Sequence, residues 1–183
     1  MSTGLIIVDV QNDYFSGGSM ELDNMDAAAA CCGRLLGAFR KAHKPIFHIQ
    51  HLSTRPGASF FVADTPGAEI HQSLQPRQGE AHIVKHFPSA FRDTDLRQIL
   101  QMEGIDKLVI CGAMTHMCID TTVRAAFDLG FHCEVIADAC ATRDLAFDDH
   151  RIAAADVQAA FMAALAMPFA TVSGCDEYLA RSD

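Results

Sequence analysis

Short continuous apolar runs alternate along this chain with longer stretches in which apolar residues recur at helical spacing. Residues 5–8, 46–49, 83–84, 108–111, 132–137 and 169–172 are predicted strands. Most are rich in Val and Ile and lack polar alternation, as strands buried on both faces require. Between them the helical period predicts helices over 24–42, 93–103, 115–129 and 148–166, with a last short helix near Cys175. In the first helix Ala28, Cys31, Leu35 and Phe39 fall on one face, and Pro45 ends it. Thr115 is the expected N-cap of the third helix and Gly130 its C-cap. Residues 52–80, strewn with Gly, Pro and Ser, form one long connection. Such length in a compact domain serves as a lid, a binding wall or a subunit contact.

This alternation predicts an α/β fold, with a parallel sheet between two helical layers and right-handed crossovers. No repeat or linker divides the chain, so residues 1–183 are expected to form a single domain. Half of the 183 residues are apolar and the formal net charge is −9. That sign argues against nucleic acid or an anionic membrane as the main partner. No apolar stretch reaches the ~20 residues a membrane span needs. The first strand begins almost at once, and the seven cysteines show no C-x-x-C spacing. A cytoplasmic protein with reduced thiols is expected.

In sheets of this kind ligands sit beyond the carboxyl ends of the strands. Asp9 closes the first strand, Lys85 follows the third, and Cys118 lies in the first turn of the helix after the fourth. A helix N-terminus favours a thiolate, and its free N–H groups could hold an oxyanion. Each residue also has a structural reading: a buried Asp–Lys pair, or a packed cysteine. Position alone leaves Cys118 evenly divided between the two. An acid, an amine and a thiol at three strand ends are more specific together than apart.

Four segments carry a family resemblance: LIIVDVQNDYF at 5–15, VKHFPSAFRDTDL at 84–96, CGAMTHMCIDTTVRAAFDLGF at 111–131 and VIADACATRD at 135–144. The chain resembles the isochorismatase-like cysteine hydrolases, the superfamily of nicotinamidase and N-carbamoylsarcosine amidohydrolase. The resemblance implies a three-layer, Rossmann-like fold whose six-stranded parallel sheet has the order 3-2-1-4-5-6. It also implies a catalytic triad of Asp9, Lys85 and Cys118. A non-proline cis peptide between Ala113 and Met114 would aim the Met114 N–H, with that of Cys118, at the substrate oxygen. The implied chemistry is cleavage of a C–N bond in a small amide, lactam or ureido compound through a thioester, without a cofactor. Members form oligomers, so a homodimer or homotetramer is expected.

Two departures narrow this reading. Nicotinamidases carry an Asp-x-His metal motif after the second strand. The matching stretch here, FHIQHLSTRPG, keeps His48 and His51, with His71 downstream, but has no carboxylate at the matching position. No metal site is therefore expected. Isochorismatases cleave a vinyl ether without a thiol, so Cys118 points to C–N cleavage. The rivals are a catalytically idle binding or assembly protein, isochorismatase or nicotinamidase-type activity, and a thiol-based redox sensor.

The expected substrate contacts are Gln11, Phe15, His51, Phe87, Phe91 and Thr115, with Phe60 and Phe61 of the long connection as candidate caps. Gln11 is expected to orient Asp9, and His116 to sit at a rim or interface. Lys85 and the helix terminus are expected to pull the Cys118 thiol below its usual ~8.5. Lys85 lies two strands from Asp9 in the implied order, about 10 Å at ordinary strand spacing. The loop after its strand is therefore expected to turn back over the sheet.

Overall fold

The apolar runs assemble into one parallel sheet in the computed structural model, which describes residues 2–182. Its strands are β1 (Ser2–Val8), β2 (Ile46–His51), β3 (Ala81–Lys85), β4 (Ile105–Ala113), β5 (His132–Ala141) and, after a hairpin of β6 (Leu145–Phe147) and β7 (His150–Ile152), β8 (Thr171–Ser173). The order is β3-β2-β1-β4-β5-β8, the implied 3-2-1-4-5-6 once the hairpin is set aside. The helices are α1 (Met25–Lys41), α2 (Leu96–Met102), α3 (Asp120–Asp128), α4 (Ala154–Leu165) and α5 (Cys175–Ser182). None is long and apolar enough to cross a membrane.

Unbroken apolar strands are explained by two cores. Leu5 and Ile7 of β1 point into one, with Leu35, Leu36 and Phe39 of α1 and Tyr178 of α5. Ile6 and Val8 point into the other, with Leu96 and Leu100 of α2, Val123 and Ala126 of α3, and Leu165 of α4. Successive side chains of a strand face opposite ways, so a strand covered on both sides has no place for polar alternation.

Three expectations change in detail. The buried face of α1 carries Cys32 rather than Cys31, which is only partly buried. The fourth predicted helix starts at Ala154 instead of 148, because residues 145–152 form the hairpin and the Asp144 carboxylate accepts the Ala154 N–H at 2.8 Å. The third begins with a wide π-type turn over Thr115–Ile119, with Ile119 N–H bonded to Met114 O at 3.1 Å. Thr115 is not its cap: the buried hydroxyl donates to Ala141 O (3.2 Å) or Gln158 Oε1 (2.6 Å). Gly130 does end α3, at φ +90°.

The long connection is fastened by the three residues after Val10. Gln11 Nε2 donates to Ala68 O at 2.7 Å, Asn12 Nδ2 to Pro66 O at 2.7 Å, and Asp13 Oδ2 accepts the Phe61 N–H at 2.7 Å. A polar triplet at the end of β1 thus holds the loop that passes over it.

At the end of the β1–β4 pairing Val8 faces Gly112. A Cβ on Gly112 would stand 2.0 Å from Val8 O, and its φ is +121°. Gly112→Ala is expected to cost at least about 3 kcal/mol or to prevent folding, because the atoms it would meet are backbone and not a movable side chain. Urea denaturation monitored by circular dichroism would measure it.

Candidate active site

Asp9 leaves β1 with φ +51°, a left-handed conformation that costs a non-glycine residue about 1 kcal/mol or more. Its carboxylate is fully buried. Lys85, also fully buried, ends β3 directly opposite His51 of β2. Its Nζ lies 2.7 Å from Asp9 Oδ2, 3.0 Å from His51 Nδ1, 3.0 Å from Phe87 O and 3.3 Å from Cys118 Sγ. The expected backward turn of a loop is not needed. The extended lysine side chain itself crosses the end of β2.

An ammonium has three protons and meets four partners here. His51, Phe87 O and Cys118 receive directional hydrogen bonds. Asp9 is held at short range by charge, while neither of its oxygens has a hydrogen-bond donor of good geometry. Its lone pairs are thus buried without a directional donor. Because an ammonium only donates, His51 Nδ1 must accept, which leaves the ring hydrogen on Nε2. The His51 Nδ1 to Asp9 Oδ2 distance of 3.8 Å is too long to compete.

The electrostatics follow from this packing. Burial opposes ionisation of Asp9, yet the Lys85 charge outweighs it and holds the carboxyl below its ordinary value. Lys85 gains more from Asp9 and Cys118 than burial removes, so its ammonium is stabilised. Cys118 goes the other way. Burial and then the Asp9 charge push the thiol well up, against the pull of Lys85. The expectation of a depressed thiol is therefore corrected: at rest the site holds a carboxylate, an ammonium and a neutral thiol. A helix terminus and one cation do not offset desolvation when the cation is already paired.

Asp9, His51 and Cys118 offer three ligand atoms within 4.8 Å of one another. Lys85 Nζ lies within 3.3 Å of all three. The position a metal ion would take is held by a charged amine, so these residues do not fit a metal without its displacement.

Beside the cluster opens a cavity of about 330 Å³. His51, Phe60, Phe87, Pro88 and Met117 line it, together with residues 53–59. Cys118 is 4% exposed and lies 4.0 Å from His51 Nδ1. The Ala113–Met114 peptide that leads into the cysteine turn is cis.

A family model for the isochorismatase domain matches residues 3–169. The chain belongs to the isochorismatase family. It is 47% identical over 179 residues to the uncharacterized isochorismatase family protein YddQ of Bacillus subtilis, covering 98% of this chain and 99% of that protein. A crystal structure of an isochorismatase-type hydrolase from Oleispira antarctica superposes with a TM-score of 0.94 at 47% identity, covering 98% of this chain and 96% of the other. Streptothricin hydrolase of Streptomyces noursei is 33% identical over 141 residues, which are 77% of this chain and 55% of that protein.

Within this isochorismatase-family site the expected substrate contacts divide. His51 and Phe87 line the cavity. Gln11 does not orient Asp9: its amide donates to His51 O and Ala68 O and accepts the His51 N–H at 2.7 Å, so it clamps the β2 terminus. Phe15 stacks on His71 at 3.8 Å in the α1 core, and Phe91 stacks on Phe131 at 6.1 Å. Neither wall position is borne out, because nearness in sequence to Asp9 and Lys85 says nothing about side-chain direction. Thr115 is fully buried and engaged elsewhere. His116 contacts Thr142 Oγ1 at 2.6 Å, and Phe61 is buried against Tyr14 at 4.6 Å while Phe60 reaches the cavity.

Tyr14 was not among the expected site residues. Burial and the nearby Cys118 and Asp9 push its phenol well above the ordinary range. The aromatic residue after Gln-Asn-Asp was a weak signal for it. Residues 53–59 carried no chemical signal beyond belonging to a long loop.

Lys85→Met removes the cation and leaves the Asp9 charge buried, a change expected to cost about 3–5 kcal/mol at neutral pH. Asp9 is held low in the native protein, so its stabilising contribution is present above the ordinary carboxyl value and lost as pH falls through the lowered one. In Lys85→Met the carboxyl rises instead, and the stability gap to the native chain should narrow on acidification. Adding Asp9→Asn should recover part of the loss. Thermal denaturation of the three proteins between pH 5 and 8 checks both signs.

Proposed function

We propose that this protein is a metal-independent cysteine hydrolase that cleaves the C–N bond of a small amide, lactam or ureido compound through a thioester on Cys118. The observation that carries the reading is that one ammonium, Lys85 Nζ, touches both the Asp9 carboxylate (2.7 Å) and the Cys118 sulfur (3.3 Å). A buried ion pair made for stability alone needs no thiol beside it. The hydrolase names of relatives support the same reaction class.

In the proposed cycle the substrate enters the cavity beside His51, and its carbonyl carbon comes to face the Cys118 sulfur. Asp9, whose oxygens lack directional donors, takes the thiol proton as sulfur attacks the carbonyl carbon. The C=O bond opens to an oxyanion held by the Met114 and Cys118 N–H groups. Collapse breaks the C–N bond, and the nitrogen departs with the proton from Asp9. Water then gives a proton to Asp9 and attacks the thioester carbon. The acid forms, and sulfur leaves and recovers its proton. The sum is amide plus water to acid plus ammonia or amine. Lys85 keeps Asp9 ionised at the start and stabilises the transient thiolate, without carrying a proton itself.

Because the proton moves between two groups inside the site, the total charge is unchanged before attack. The thiol, raised above its ordinary value of 9.0, need not ionise to solvent. The pH profile of kcat/KM is therefore expected to lack a limb near 9. Cys118→Ala and Cys118→Ser should lower ammonia release from a panel of amides and ureas by at least about a thousandfold. Hydroxylamine should divert product to the hydroxamate by capturing the thioester. Undiminished turnover by the alanine variant would sink the proposal.

A further inference from the structure

The wall of the cavity differs in charge from the rest of the molecule. The chain carries a formal net charge of −9, yet none of the residues lining this cavity is acidic. Arg55 is among them, with His51 and His86. Arg55 is exposed, and no carboxylate among the described residues forms an ion pair with it, nor with Arg77, Arg97 or Arg143, whereas Arg34, Arg40, Arg92, Arg124, Arg151 and Arg181 each have one. The bend that presents it is closed locally, by Ala58 N–H on Arg55 O at 3.1 Å and Ser53 N–H on Phe61 O at 2.8 Å.

A second donor in the lining, His51, is also fixed. Lys85 occupies His51 Nδ1 at 3.0 Å, so the ring hydrogen of His51 sits on Nε2. Phe60, Phe87, Pro88 and Met117 supply apolar wall to the same cavity. A ligand for such a space has a short apolar body, an acceptor near His51 and an anion near Arg55. A volume of about 330 Å³ limits it to a small molecule.

We propose that the cavity selects amide-type substrates bearing a carboxylate, which pairs with the Arg55 guanidinium while the scissile carbonyl lies over Cys118. This deepens the hydrolase reading and rests on it. A guanidinium matches a carboxylate with two parallel N–H donors, and an acid-free surround spares the anion any local repulsion. A neutral amide of the same size would fill the wall but leave Arg55 to solvent. The field of an acidic protein would otherwise disfavour an anion, so the local reversal at this mouth carries selectivity.

The test does not need the natural substrate. 3-Maleimidopropionate and its methyl ester present the same electrophile and differ by one charge. Each adds the Cys118 sulfur to the maleimide C=C bond, and the thiol proton ends on the neighbouring carbon, with no leaving group. Labelling of Cys118, assigned by peptide mass spectrometry with Cys118→Ala as control, should be faster with the anion. That preference should fall about fivefold in Arg55→Gln, return in part in Arg55→Lys, and shrink as salt is raised. Cys31, the half-exposed thiol, serves as an internal reference that Arg55 does not affect. Equal rates for the two reagents, a preference unchanged by Arg55→Gln, or no adduct on Cys118 from either reagent would overturn the proposal. The adduct requires no turnover, so this selectivity can fail while Cys118→Ala still abolishes hydrolysis, and the two readings are separable.

Discussion

A single buried ammonium organises the functional end of this fold. Bringing Lys85 and Asp9 out of water costs several kcal/mol for each ion. At 2.7 Å and an effective dielectric near 20, their attraction is about 332/(20 × 2.7), or ~6 kcal/mol. The two sums are comparable, so the pair alone barely stabilises the protein. What it does is oblige the remaining bonds to form. The Lys85 protons must find acceptors, and they find the His51 ring, the Phe87 carbonyl and the Cys118 sulfur. A cation that needs every partner holds β2, β3, the loop after β3 and the cysteine turn in one register.

That requirement explains features that look unrelated in isolation. Gln11 makes three hydrogen bonds to backbone groups of His51 and Ala68, which fixes the end of β2 where His51 must accept from Lys85. Asp13 receives the N–H of Phe61, and its carboxylate fills the space where a Cβ on Gly67 would stand 2.2 Å away. The polar residues after β1 therefore act on the long loop rather than on a ligand. By holding it, they build the cavity wall. The same restraint that stabilises the loop makes a defined space beside the sulfur.

The neutral state of Cys118 belongs to the same balance. A thiol facing an unpaired cation would ionise readily, but here the cation is shared with a carboxylate and the whole group lies out of water. This arrangement keeps the sulfur neutral at rest.

Much of this was legible in the letters of the chain. Six apolar runs with helices between them determined the layers, because a strand buried on both faces has no polar alternation and its period cannot be mistaken for that of an amphipathic helix. Asp9, Lys85 and Cys118 could be singled out, since charged and thiol groups at strand ends lie where such sheets place their ligands. Side-chain direction was not legible. Gln11, Phe15, Phe91 and Thr115 stand next to the right residues, yet turn to backbone, core or helix partners, because packing across distant segments decides which way a side chain points. The hairpin at 145–152 and the π-type turn at Thr115–Ile119 likewise depend on long-range contacts that no local period encodes. The sequence by itself determined the order of elements and the chemical cast. Only the tertiary structure decided protonation, pocket and partner, because each is set by how much water the fold removes and which groups it leaves within 3–4 Å.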